Sequence, residues 1–337
     1  SSPNLYPISL IVSFVNFFEN PSETYLAVGI AKNFLSVPRS AECCYIHLYR
    51  LVLSESRLEF VHSTPLDQMI PSVMCCFAGR LLVGAGSLLR LYDLGRKRLL
   101  RKCEAKIPTF ITSIQTQGWR IVIGDAHESV FLVHYRSEEG QFVIFADEPQ
   151  ARAVSALCML DYDTVAVADR FGNFSVLRLP ANISEGVELD GTALVTKRDT
   201  IIGAANKLEK QVEYHLGDTI VSLHKTALVQ NSREVIHYVT LSGAVGVFIP
   251  FASRSDALLL QHLELFMRTE VPAQITGREH LTYRSSYNPV KGVIDGDLCE
   301  RFMSLPGSRK LAASQSLDTS PDAIQRRLEV MRSSIGF

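Results

Sequence analysis

Gly79-Arg80-Leu81-Leu82-Val83-Gly84-Ala85-Gly86-Ser87-Leu88-Leu89-Arg90-Leu91-Tyr92 reads as two apolar strands joined by a tight glycine-containing turn, the pattern of a β-hairpin. The pattern returns in Gly118-Trp119-Arg120-Ile121-Val122-Ile123-Gly124-Asp125, which continues through His127 and Ser129 to Val130–Tyr135. A third copy runs from Asp163-Thr164-Val165-Ala166-Val167 through a turn at Arg170–Asn173 to Phe174–Leu179. A fourth joins Val235–Leu241 to Ala244–Ile249, and a looser first copy joins Tyr25–Ile30 to Tyr45–Tyr49 across a loop carrying Pro38.

The first three tight copies recur about every 40 residues, the period of one four-stranded blade of a β-propeller. Such a blade cannot cover both of its faces, so blades stack around an axis and each buries its neighbour. Weaker segments fill the remaining strand positions. Leu58–His62 and Gln141–Phe145 fit outer strands; Ser72–Phe77, Ile111–Gln115 and Val154–Cys158 fit inner ones. The spacing to the fourth copy is longer, and the excess from Ala181 to about Asn206 reads as an exposed loop. The fold class expected is mainly β: about five blades of an incomplete ring of about seven, then a small α-helical domain. The chain is therefore expected to be a piece of a longer protein. The division predicted is 1–254 for the partial propeller and 255–337 for the helical domain.

In the tail the apolar period changes. Ser255 can cap a helix with Leu259, Leu263, Phe266 and Met267 on one face. A second helix is expected from Asp295-Gly296-Asp297, with Leu298, Phe302 and Leu305 aligned. A third has Ser320 as its cap and Pro321 at its first position, with Ile324, Leu328 and Met331 on its apolar side. These pieces are too short to stand alone and must dock on something.

Composition narrows the chemistry. Apolar residues are 47% and charged residues 20%, with a net charge of −1, so no global basic field gathers phosphate. The apolar run Pro7–Phe18 is too short to span a membrane and is expected to be a buried strand in a soluble, intracellular protein. Seven cysteines, Cys43, Cys44, Cys75, Cys76, Cys103, Cys158 and Cys299, show no C-x-x-C spacing and are expected to be buried free thiols.

The chemical constellations favour structure over catalysis. Asp125, His127 and Ser129 alternate along one turn, whereas a nucleophilic triad draws its members from separate segments. Gly84-Ala85-Gly86 lacks the third glycine and following helix of a dinucleotide loop. Asp161, Asp163 and Asp169 sit at strand entries and turns, where aspartates bond to the backbone. The nine histidines show no metal-ligand spacing. No enzyme, cofactor or metal is expected. Arg96, Lys97, Arg98, Arg101 and Lys102 form the one strong charge run, placed on a connection between blades as a candidate interaction surface. No aromatics interleave there to stack bases, so an acidic partner surface is favoured over direct RNA contact.

The run Gly79–Tyr92 continuing through Asp93-Leu94-Gly95-Arg96-Lys97-Arg98-Leu99-Leu100-Arg101-Lys102-Cys103-Glu104 resembles the C-terminal region of a triple-β-propeller family. That family includes the large damaged-DNA-binding subunit, the cleavage and polyadenylation specificity factor large subunit and a spliceosomal branch. Leu160–Ala166, Asp169–Asn173, Tyr287–Lys291 and above all Val293–Glu300 resemble the spliceosomal branch. The likeness departs at Ala181–Asn206, Ser308–Ser316 and the two cysteine pairs. It implies a nuclear, non-enzymatic scaffold of the splicing factor 3b complex in the U-two small nuclear ribonucleoprotein, supporting branch-site recognition in pre-mRNA splicing. The implied partners are the HEAT-repeat large subunit, a small ten-kilodalton-class subunit and other spliceosomal proteins, with RNA reached indirectly. It also implies that the third propeller takes strands from the distant N-terminus. Rival readings are an adaptor in ubiquitin ligation or mRNA 3′-end processing, and a propeller that binds RNA directly through Arg96–Lys102.

Overall fold

Each apolar hairpin of the repeat up to Leu179 becomes the centre of a sheet, because its flanking strands are themselves apolar on alternate positions. The computed structural model describes residues 8–96, 98–189, 204–230, 232–270 and 290–333. It divides into two compact units, Ser1–Asp169 with Leu177–Glu209, and Arg170–Val176 with Lys210–Phe337.

The first unit begins with β1 (Ile8–Val15), β2 (Tyr25–Lys32), a small ribbon of β3 (Leu35–Ser36) and β4 (Arg39–Ser40), β5 (Cys43–Val52) and β6 (Arg57–Pro65). The long strands form one antiparallel sheet in the order β1-β2-β5-β6. The second sheet is β7 (Pro71–Phe77), β8 (Arg80–Ala85), β9 (Leu88–Leu94) and β10 (Leu99–Lys106), paired in sequence order. The third is β11 (Ile111–Gln117), β12 (Arg120–Asp125), β13 (Val130–Arg136) and β14 (Gln141–Asp147). β15 (Val154–Met159) and β16 (Thr164–Asp169) open the next repeat. The predicted inner and outer strands hold those positions.

Successive sheets bury each other's faces. In β8, Leu81 and Val83 join a core with Ala27, Ile46 and Leu48 of the first sheet. Leu82 between them points the other way, into a core with Ile121 and Ile123 of the third. Val122 faces onward again, to Leu157 and Val167. This explains why the central strands are apolar without alternation: both faces are covered. Each fully buried aliphatic side chain contributes roughly 1.5–3 kcal/mol. The inner strands β1, β7, β11 and β15 lie side by side in that order.

Beyond β17 (Asn173–Arg178) the structure corrects the expectation of an exposed loop. Ala181–Leu189 is a helix, α1. Its Ile183 and Val187, one turn apart, pack into the third core. Residues 190–203 of the expected loop lie outside the described residues. β18 (Asn206–Lys207) then adds in parallel to β14.

The second unit contains β19 (Glu209–His215) and a sheet of β20 (Ile220–Thr226), β21 (Val235–Thr240) and β22 (Val245–Phe248). Phe248 stacks on Phe174 with ring centres 4.0 Å apart. Among the described residues four α-helices follow: α2 (Arg254–Glu270), α3 (Gly296–Glu300), α4 (Gly307–Ser316) and α5 (Pro321–Ser333). They pack on one another around Leu263, Met267, Phe302 and Ile324. A backbone bridge between Glu213 and Lys291 ties the helical segment to β19.

The predicted cap holds for α5, where Ser320 accepts from the backbone N–H of Ala323 at 3.2 Å. Asp295, at the predicted start of α3, caps that helix by accepting from the backbone N–H of Leu298 at 3.1 Å. In α2 the start moves two residues back: Ser253, not Ser255, receives the backbone N–H of Ala257 on its carbonyl. The buried line is accordingly Leu260, Leu263, Glu264 and Met267, in place of one begun at Leu259. α4 falls on the polar segment 308–316, where the sequence reading placed no helix.

Candidate interaction surface

The basic run does not lie between blades. Buried Leu99 pairs with Leu94 across the sheet and draws the chain back as β10, so the run forms the turn and outer strand of a single sheet. Arg96 and Arg98 are exposed at that turn, and Lys97 lies outside the described residues. Arg101 pairs with Glu104 at 3.1 Å and Lys102 with Asp93 at 3.7 Å. Asp93 also receives Arg80, and Glu104 receives Arg90, so carboxylates thread the cluster.

The turn aspartates have structural partners. Asp125 accepts the backbone N–H groups of Thr109, Phe110, His127 and Glu128 at 2.8–3.1 Å. The Ser129 hydroxyl donates to Glu148, and His127 points to solvent. The three residues thus form no relay. Asp161 accepts the N–H of Asp163 at 2.9 Å, the expected aspartate turn. Asp163 pairs with Arg120, a guanidinium with no solvent exposure that lies 3.9 Å from the Tyr162 ring centre. Asp169 lies 3.9 Å from Arg152. Among the described residues no His, Cys, Asp and Glu side chains gather as a metal cage. No described helix is long and apolar enough to cross a membrane.

The cysteines are less uniformly buried than expected. All seven are free thiols; Cys44, Cys158 and Cys299 are buried, and Cys76 is exposed. Within the pairs Cys43-Cys44 and Cys75-Cys76 the two side chains alternate across the strand, as period-two geometry requires.

The feature that sequence reasoning missed is the outer face of the first sheet. β1, expected to be buried, buries only one side. Val12 and Phe14 are 50% and 61% exposed. The register carries their face across the sheet: Phe14 opposite Leu26, Leu26 opposite Tyr49, Tyr49 opposite Phe60. His47 sits edge-on to Phe60 at 5.6 Å, and Tyr49 contacts the same ring at 5.6 Å. Burial among these rings lowers the His47 pKa from its usual 6.5. The result is an apolar, aromatic sheet face open to solvent, of the kind that marks an interaction site. The available signal was Ile8-Ser9-Leu10-Ile11-Val12-Ser13-Phe14-Val15, apolar on both faces yet first among the repeats.

The family model described as the CPSF A subunit region matches residues 8–304. The chain belongs to this family. Its members are β-propellers, and the repeated sheets here are blades. The chain is 44% identical over 329 residues to splicing factor 3B subunit 3 of Danio rerio, covering 97% of this chain and 27% of that protein. It is 45% identical over 316 residues to the Drosophila melanogaster protein of the same name, covering 93% of this chain and 26% of that one. Spliceosome-associated protein 130 A of Arabidopsis thaliana is 43% identical over 328 residues, covering 96% of this chain and 27% of that protein. The chain thus spans about a quarter of the length of the curated relatives it matches. The family match runs through the blades and past α2 and α3, so the repeat and part of the tail belong to one inherited unit.

Proposed function

We propose that this chain is the propeller-and-tail region of a nuclear, non-enzymatic splicing factor 3b subunit, acting as a scaffold in pre-mRNA splicing. Relatives named for splicing support the reading, and one structural observation carries it. The first blade presents Val12, Phe14, Leu58 and Phe60 to solvent on a rigid sheet. A rigid face loses little ordering entropy when something docks on it, which is how a scaffold gains affinity. We place on it a further blade supplied by the rest of the full-length protein, completing the third propeller whose first part is 1–254, with 255–337 as its helical companion. The assembled protein then holds the HEAT-repeat large subunit and the small ten-kilodalton-class subunit, and meets RNA through them.

The test is affinity purification of the tagged full-length protein from nuclear extract, beside a Phe14→Glu/Phe60→Glu variant. Recovery of the HEAT-repeat subunit with the wild type, and its loss with the variant, supports the scaffold. Recovery of ubiquitin-ligase or 3′-end-processing subunits in its place overturns it.

A further inference from the structure

The same irregularity recurs in the inner strand of each blade. Pairing with the second strand skips a residue between Ser9 and Ile11, between Pro71 and Val73, and between Ile111 and Ser113. The extra residues are Leu10, Ser72 and Thr112. A β-bulge re-aims the side chain it frees, and these three converge on one cavity of about 280 Å³. The Ser72 hydroxyl donates to the Gly84 carbonyl at 3.1 Å and that of Thr112 to the Gly124 carbonyl at 3.0 Å. Their protons are committed, so toward the cavity each can only accept.

The β3–β4 ribbon supplies the cavity's charge. Arg39 lies on it opposite Ser36, with its guanidinium carbon 4.2 Å from the centre of the Phe110 ring. Phe110 is held in place by its own backbone: its N–H donates to Asp125 at 3.1 Å, and its carbonyl accepts from Ala126 at 2.9 Å. The nearby acid Glu42 is engaged by Asn33 and Lys32. Among the described residues no carboxylate lies within ion-pair distance of Arg39. The remaining walls, Phe34, Ile70 and Pro71, are apolar.

We propose that this cavity is a docking site for an acidic linear segment of a partner protein. One carboxylate pairs with Arg39, one neighbouring apolar side chain enters between Leu10, Ile70 and Pro71, and segment N–H groups donate to Ser72 and Thr112. A guanidinium lying flat on a ring keeps its N–H edge free for a carboxylate, the geometry in which arginine binds acids best. Nucleic acid fits poorly. The cavity has one cation where a phosphate chain needs a track, and Arg39 already covers the Phe110 face on which a base would stack. The inference does not depend on the splicing assignment.

The test uses the full-length protein and a fluorescein-labelled octapeptide of alternating aspartate and leucine, titrated by anisotropy. The comparison probes are the same peptide with asparagine for aspartate, and a uridine octamer. Saturable binding is expected for the acidic peptide, weakened about tenfold or more by the asparagine swap and by Arg39→Glu, and weakened less by Arg39→Lys, which keeps the charge but loses the planar fork. Arg39 is exposed, so an unchanged circular dichroism melt separates lost contact from lost fold. Equal binding of both peptides, indifference to Arg39→Glu, no saturable binding, or preference for the uridine octamer each overturns the proposal.

Discussion

A methyl group on Gly84 would stand 2.8 Å from Cγ2 of Ile111, the first residue of the next blade's inner strand. The relationship repeats around the unit. Gly29 faces Pro71 at 2.9 Å and Gly124 faces Val154 at 2.8 Å by the same construction. Each glycine sits on the second strand beside the bulge and lets the neighbouring blade approach, so blade spacing is set by a missing side chain. Gly84→Ala is expected to cost about 1–3 kcal/mol, the range for overpacking a well-filled core. Gly186 in α1 has open space around its Cβ direction, and there the same change should stabilise by roughly 0.5–1 kcal/mol. Urea midpoints of the two variants should move in opposite directions.

Arg120 joins three pieces of the first unit. Its guanidinium donates to the Tyr162 carbonyl at 2.8 Å, pairs with Asp163 and reaches Ser184 of α1 at 3.3 Å. Arg120→Met keeps the apolar bulk but strands the Asp163 charge, and should cost about 3 kcal/mol, the lower end for a broken buried pair. Asp163→Asn keeps the Ser184 hydroxyl but leaves the fully buried Arg120 charge without its counter-ion, so it should cost a comparable amount. A double-mutant cycle read by urea denaturation should give a coupling well above about 1 kcal/mol. A cycle summing to zero would mean that Arg120 and Asp163 do not stabilise each other.

The blades were legible because hairpin chemistry is local: an apolar run, a glycine turn and a second run recur in the chain where they recur in space. The exposed face of β1 was not legible, since Ile8–Val15 looks alike whether its second face meets a blade or water. Nothing local singled out Arg120, because its partners, Asp163 and Ser184, lie more than a blade away along the chain. The docking cavity depends on bulges, and a skipped pairing leaves no mark on composition. Helix α1 was hidden by its polar surroundings, although Ile183 and Val187 have helical spacing. The basic run misled for a related reason: charge drew attention from Leu99, whose burial makes the segment a strand.

The thiols should separate by accessibility. Cys76 is exposed, whereas burial pushes the thiol pKa of Cys44 to about 11, Cys103 to about 11 and Cys75 to about 12. Burial raises Cys299 as well. A thiolate is the reacting form, so at neutral pH those four are slow on two counts. Iodoacetamide followed by peptide mass mapping should label Cys76 first in the native protein. Cys75, its chain neighbour, should label at a comparable rate only after denaturation.

His47 gives the open face of the first blade a pH dependence. Burial among Tyr45, Tyr49 and Phe60 lowers its pKa from 6.5, so near that value the folded chain binds fewer protons than the unfolded one. Stability then rises with pH across the interval between the folded and unfolded values. The contribution is fully present above about pH 6.5 and is lost as pH falls through 6.5 toward the folded pKa. His47→Phe removes the titrating group while keeping an aromatic ring, and should flatten that part of the profile relative to wild type. Urea midpoints at intervals between about pH 5 and 7.5 measure the difference. Covering the face with a docked blade deepens the burial, so the wild-type slope should be steeper in the full-length protein than in this chain. Equal slopes in both would mean that the face stays open to water in the whole molecule.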